Sequence, residues 1–86
     1  MPTIARLPGN FRICLYLNDH DPPHFHVEAA VTRAQIRIAD LQVIRGFIRR
    51  SDLLSIENWA RRHQAELALN WVFARAKLDL REIPYP

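Results

Sequence analysis

Three of the chain's four histidines fall within seven residues, in Asn18-Asp19-His20-Asp21-Pro22-Pro23-His24-Phe25-His26-Val27. Histidine changes charge near neutral pH, accepts or gives protons and ligates metals, so this cluster is the first candidate for chemistry. His24 and His26 sit at i and i+2; on a strand such residues share a face, roughly 7 Å apart. Two arrangements follow from that spacing. The pair can act as acid and base across a scissile phosphate, with arginines holding the developing charge, or it can share one metal ion. The structural alternative is that Asp19 and Asp21 bond the histidines and merely hold the loop. The spacing matches no familiar zinc motif, so no metal site is assigned on sequence, and no cofactor is identified. Catalytic candidates are therefore His24, His26 and His20 with Arg37. Asp19, Asp21, Arg12 and Tyr16 are binding candidates beside them.

A second constellation lies later in the chain. His63 falls on an apolar helical stripe, with Glu66 three residues on and Trp59 and Asn70 along its flank. A histidine facing a core is usually a satisfied packing residue, bonded to a carbonyl or a carboxylate such as Glu66. The functional alternative has Glu66 orienting His63 toward a cleft at the sheet edge, which adds His63 and Glu66 to the binding candidates. Cys14 has no histidine beside it by local spacing and is a weak nucleophile candidate.

The elements that position these residues are legible in part. Phe11 to Leu17 alternates, with Phe11, Ile13, Leu15 and Leu17 on one side and Arg12, Cys14 and Tyr16 on the other, the pattern of a strand. Pro22 and Pro23 lack a backbone N–H and end it. A second strand runs His24 to Ala29, with Phe25 and Val27 directed to the core and His24, His26 and Glu28 away from it. A third follows with Ala34, Ile36 and Ile38 apolar, and Leu41 to Ile48 makes a fourth, marked by Gly46 as a bulge candidate. Before them, Pro2 to Leu7 is a short apolar segment closed by a Pro8-Gly9-Asn10 turn.

Ser51 reads as a helix N-cap and Asp52 suits the first turn. From there to Lys77 there is no Gly or Pro, and Leu53, Ile56, Ala60, His63, Leu67, Trp71 and Ala74 form one stripe. A straight helix of that length spans roughly 37 Å, more than so small a domain needs. It either overhangs the sheet or breaks near His63-Gln64. The expectation is a single α+β domain over residues 1–86: a small antiparallel meander of about four strands, with one long or broken amphipathic helix on one face. Leu78 to Pro86 either adds an edge strand or packs across the end.

With 86 residues, 12 Lys and Arg against 9 Asp and Glu, and a net charge of +3, the chain is basic and almost wholly arginine-based. Arginine's planar fork suits phosphate and carboxylate, which points to a nucleic acid or an acidic protein as partner. The single cysteine excludes an internal disulfide and indicates a reducing, cytoplasmic setting. No run approaches the roughly 20 apolar residues of a membrane span, and no glycine-rich phosphate loop, Rossmann pattern or helix-turn-helix signature is present.

Taken together, Met1-Pro2-Thr3-Ile4, the Asp-His-x-Pro-Pro-His-Phe-His core at residues 19–26, and Trp59, His63, Glu66-Leu67 and Trp71 resemble the bacterial domain-of-unknown-function family 4160. The resemblance covers essentially the whole chain, departing slightly at Leu7 to Asn10. It implies a stand-alone protein encoded beside a second small protein, the two forming a type II toxin–antitoxin module with this chain as toxin. It also implies hallmark positions: Asp19, His20, Pro22, Pro23, His24, His26, Trp59, His63 and Trp71. The function expected is a toxin acting on RNA through the histidine-rich site and neutralised by a small acidic, antitoxin-like partner. A ribonuclease-like hydrolase is the enzyme class if it is catalytic. The alternatives are a non-catalytic protein-interaction module and a small metal-binding domain.

Overall fold

The computed structural model describes residues 3–86; Met1 and Pro2, part of the N-terminal motif, lie outside it. The fold is α+β, an antiparallel sheet with two helices. The sheet has five strands rather than four, in sequential order: β1 (Thr3–Leu7), β2 (Phe11–Cys14), β3 (His24–Glu28), β4 (Arg33–Arg37) and β5 (Val43–Phe47). The added strand is the first one. Its Ile4, Ala5 and Leu7 are all buried, because a register shift between Thr3 and Ala5 breaks simple alternation. That shift hides β1 from any period-two reading.

Elsewhere alternation holds where it counts. Phe25, Val27 and Ile36 are fully buried, with Ala34 beside them. Their neighbours fall in rows across the opposite face: Cys14, His26, Gln35 and Arg45 in one, Arg12, Glu28, Arg33 and Phe47 in the next, and His24 opposite Arg37. Strand β2 stops at Cys14, however, and Leu17 is 45% exposed rather than part of the core. At Gly46 the chain needs its glycine: φ is +85°, and a Cβ there would sit 2.1 Å from the Arg33 carbonyl oxygen.

The helical region is broken. Helix α1 spans Arg50–Arg62 and α2 spans Gln64–Arg75, with His63 at the junction in a non-helical conformation (φ −123°, ψ 20°). With no glycine or proline at the break, packing sets it: the molecule measures 34 × 24 × 23 Å, and two short helices fit where one long rod does not. Ser51 lies inside α1 rather than capping it; Arg49 is the N-cap, without a side-chain cap bond. The stripe survives the break, since Ile56, Ala60, Leu67, Trp71 and Ala74 are all buried along with Trp59.

The tail forms no strand. It packs across the end, where buried Asn70 clasps Arg81 with two bonds: its Nδ2 donates to the Arg81 carbonyl at 2.9 Å, and its Oδ1 accepts from the Arg81 N–H at 2.7 Å. The Ile83 N–H donates to the Ile4 carbonyl at 2.7 Å, tying the tail to β1.

Candidate functional site

The loop between β2 and β3 returns to the sheet through Asp19. Burial on its own would raise the Asp19 carboxyl, but the hydrogen bond from His26 and the adjacent His24 and His26 rings outweigh it and hold the group below the usual carboxylate range. Asp19 Oδ2 lies 2.7 Å from His26 Nε2 and 3.0 Å from His24 Nε2. Only the His26 contact has hydrogen-bond geometry; His24 Nε2 is buried without a partner. On the far side of the His24 ring, Nδ1 lies 2.7 Å from the Pro22 carbonyl oxygen. Pro22 and Pro23 thus do more than interrupt a strand. They aim a carbonyl at the histidine that follows.

His24 does not lie on an open face. It is 2% exposed, because Trp71 of α2 closes over it with ring centroids 5.3 Å apart. Helix α2 reaches this end of the sheet through further contacts, Gln64 Nε2 donating to the Ile38 carbonyl at 2.8 Å and Arg75 meeting Asp21 at 3.3 Å. The helix therefore contributes to the histidine cluster, through Trp71. His26 remains partly accessible and packs edge-on against Tyr16 at 4.5 Å. His20 stands at the rim, its side chain 91% exposed and its Nδ1 3.9 Å from Asp19 Oδ1.

Tyr16 donates to Glu28 Oε2 at 2.5 Å, and Arg12 approaches the other Glu28 oxygen at 3.6 Å. Burial and the bond to the Glu28 carboxylate push the Tyr16 hydroxyl up to about 12. Tyr16, His26 and Glu28 line a groove of roughly 350 Å³ on the open sheet face, completed by Arg33, Gln35 and Arg45. Arg33 and Arg45 make no ion pair among the described residues. Sequence reasoning missed both: the alternation put Arg33 on the polar side of its strand, but only the pairing of β4 with β3 and β5 brings these arginines beside His26.

Arg37 stands opposite His24 in register but is not free to hold an anion. It grips Asp40 with two bonds, of 2.9 and 2.8 Å, which raise the guanidinium and lower the carboxyl. Cys14 is fully buried next to Thr3 Oγ1, and burial pushes its thiol up, away from thiolate chemistry. His63 stands apart from the cluster. Its Nδ1 meets Glu66 Oε1 at 2.6 Å and its Nε2 meets the Pro86 carbonyl at 3.1 Å, while its ring packs on Trp59. Both nitrogens are occupied, as in a histidine that joins a helix break to the tail. Among the described residues, only Asp19, His24 and His26 bring metal-ligating atoms close together, all within 4.8 Å.

No helix among the described residues is long and apolar enough to cross a membrane. Comparison with curated proteins and with solved structures finds no match. A family model does match, over residues 10–72, a span that runs from the start of β2 into α2 and contains every residue of the cluster, Trp71 included. The chain belongs to the family described as Domain of unknown function (DUF4160).

Proposed function

We propose that this chain engages RNA with the open face of its sheet, as the toxin half of a two-protein module. The observation that carries the reading is the placement of two arginines that make no ion pair among the described residues, Arg33 and Arg45, around the groove that His26 enters. Guanidinium groups suit phosphate oxygens, and a phosphodiester backbone offers them in series. A histidine beside bound phosphate is suited to proton transfer. His26 fills that role here, because His24 is sealed under Trp71 and does not reach a substrate. His20 at the rim and Arg12 beside Glu28 extend the same surface.

A second reading is a docking surface for an acidic partner protein. Phe47 (73% exposed) and Val31 (92% exposed) lie beside the basic rows, and a protein partner would cover both apolar groups. In a toxin–antitoxin pair the two readings converge, with the acidic partner occupying the surface that RNA otherwise binds.

The test is fluorescence anisotropy with a labelled single-stranded RNA, alongside growth of bacteria on induced expression. Wild-type chain binds with an affinity that falls steeply with salt, and Arg33→Ala with Arg45→Ala weakens binding about tenfold, as expected for lost phosphate contacts. His26→Ala relieves growth inhibition while the circular dichroism of the fold is unchanged. Salt-independent or absent RNA binding, together with normal growth, would sink the reading.

A further inference from the structure

The arrangement around His24 poses a problem that the RNA reading does not answer. The Pro22 carbonyl oxygen can only accept, so His24 Nδ1 carries the proton in the 2.7 Å bond between them. In a neutral imidazole the other nitrogen, Nε2, is then a bare lone pair. It lies 3.0 Å from a carboxylate oxygen of Asp19, which is also an acceptor, and it has no hydrogen-bond partner. Two acceptors confront each other in a site closed on one side by Trp71. Buried polar atoms are ordinarily paired, and this one points at an acceptor oxygen on which His26 Nε2 also converges, at 2.7 Å. Something positive belongs between them.

We propose that Asp19, His24 and His26 form a binding site for a divalent first-row transition ion of the Zn²⁺ or Fe²⁺ kind. Two imidazoles and one carboxylate are a ligand set suited to such ions. The ligating atoms already lie within 4.8 Å of one another. Ligands held at about 2.0–2.2 Å from a tetrahedral ion stand roughly 3.3 Å apart, so the two Asp19–histidine contacts, now 3.0 and 2.7 Å, need to lengthen by only a few tenths of an ångström. The Pro22 carbonyl supplies the outer support common at metal sites, fixing the tautomer and the ring plane of His24. His20, with its exposed side chain near Asp19, is the residue placed to add a fourth nitrogen by rotating inward. Sequence spacing does not announce this set, because the aspartate comes from a loop and the histidines from the strand that follows it.

The experiment uses the full chain without an affinity tag, stripped with chelator and titrated with Co²⁺ in the absence of RNA. Visible absorption should grow and saturate at one equivalent of Co²⁺, Zn²⁺ should displace it, and Zn²⁺ should raise the melting temperature. Asp19→Asn and His26→Ala should each weaken binding at least tenfold; both spare the more deeply buried His24. His20→Ala should weaken it less. The competing solution is a proton, with His24 held as an imidazolium. Absent Co²⁺ absorption, a melting temperature unmoved by millimolar Zn²⁺ and an Nε2–H signal from His24 by NMR would overturn the proposal. So would Co²⁺ binding that survives both Asp19→Asn and His26→Ala. Because the readout involves no RNA, its failure leaves the RNA reading standing; its success would assign His26 Nε2 to the ion instead of to proton transfer, leaving the arginine contacts of the RNA reading untouched.

Discussion

The molecule holds two carboxylate–histidine contacts of nearly equal length, Asp19 with His26 at 2.7 Å and Glu66 with His63 at 2.6 Å. They differ in everything around them. At the helix junction Glu66 is half exposed, and both His63 nitrogens have partners. At the sheet, Asp19 is largely enclosed and serves two histidines at once, leaving one nitrogen unpaired. Contact distance therefore does not separate a structural histidine from a candidate functional one. How enclosed the carboxylate is does, together with how many histidines it serves.

Substitutions can break that contrast. His24→Ala removes a ring packed on Trp71 and leaves the Pro22 carbonyl without its donor, so it should cost roughly 2–4 kcal/mol. His63→Ala loses a partly solvated pair and a tail contact and should cost about 1 kcal/mol. Urea unfolding of the two variants side by side decides the matter; equal losses would erase the distinction. The carboxylates give a finer comparison. Asp19→Asn should cost about 1–2 kcal/mol by weakening a charge-assisted bond in an enclosed site, whereas Glu66→Gln should stay within about 0.5 kcal/mol. A Glu66 effect as large as that of Asp19 would show that exposure is not the deciding variable.

The smallest effect concerns pH on the sheet side. Tyr16 is raised to about 12 in the folded chain by burial and by its bond to Glu28. A raised folded value means the native state holds the proton more tightly than the unfolded chain does. The stability this gives is complete below about pH 10, the unfolded tyrosine value, and is lost as pH climbs through the folded one. Tyrosinate absorbance should show a late ionisation near pH 12 that Tyr16→Phe abolishes. Its persistence in that variant would break the link between Tyr16 and the enclosed side of the comparison.

The same contrast explains what was legible in the sequence. Helical periodicity located Ile56, Ala60, Leu67, Trp71 and Ala74 correctly in the core, because a 3.6-residue stripe is a local property that survived the break at His63. Alternation likewise sent Phe25 and Val27 inward. It failed for His24, because the group that buries it, Trp71, lies on an element far along the chain. It failed for β1 because the irregular pairing between Thr3 and Ala5 buries adjacent residues. Arg37 looked available from its face of the strand, yet a tight turn returned Asp40 to it. Side-chain partners made by turns and by distant helices leave no period to read.

The bond from Ile83 to Ile4 has a consequence for how copies of this chain meet one another. An open sheet ends in two rims whose spare N–H and C=O groups invite a foreign strand to join and start a fibre. Here the tail occupies part of the β1 rim. The β5 rim is interrupted by the register shift opposite Gln35 and Ile36 and carries Arg45 next to Gly46, so it makes a crooked, charged template. Growth by strand addition is discouraged from both sides. Crowding the chain to high concentration should therefore not convert it into stacked sheets.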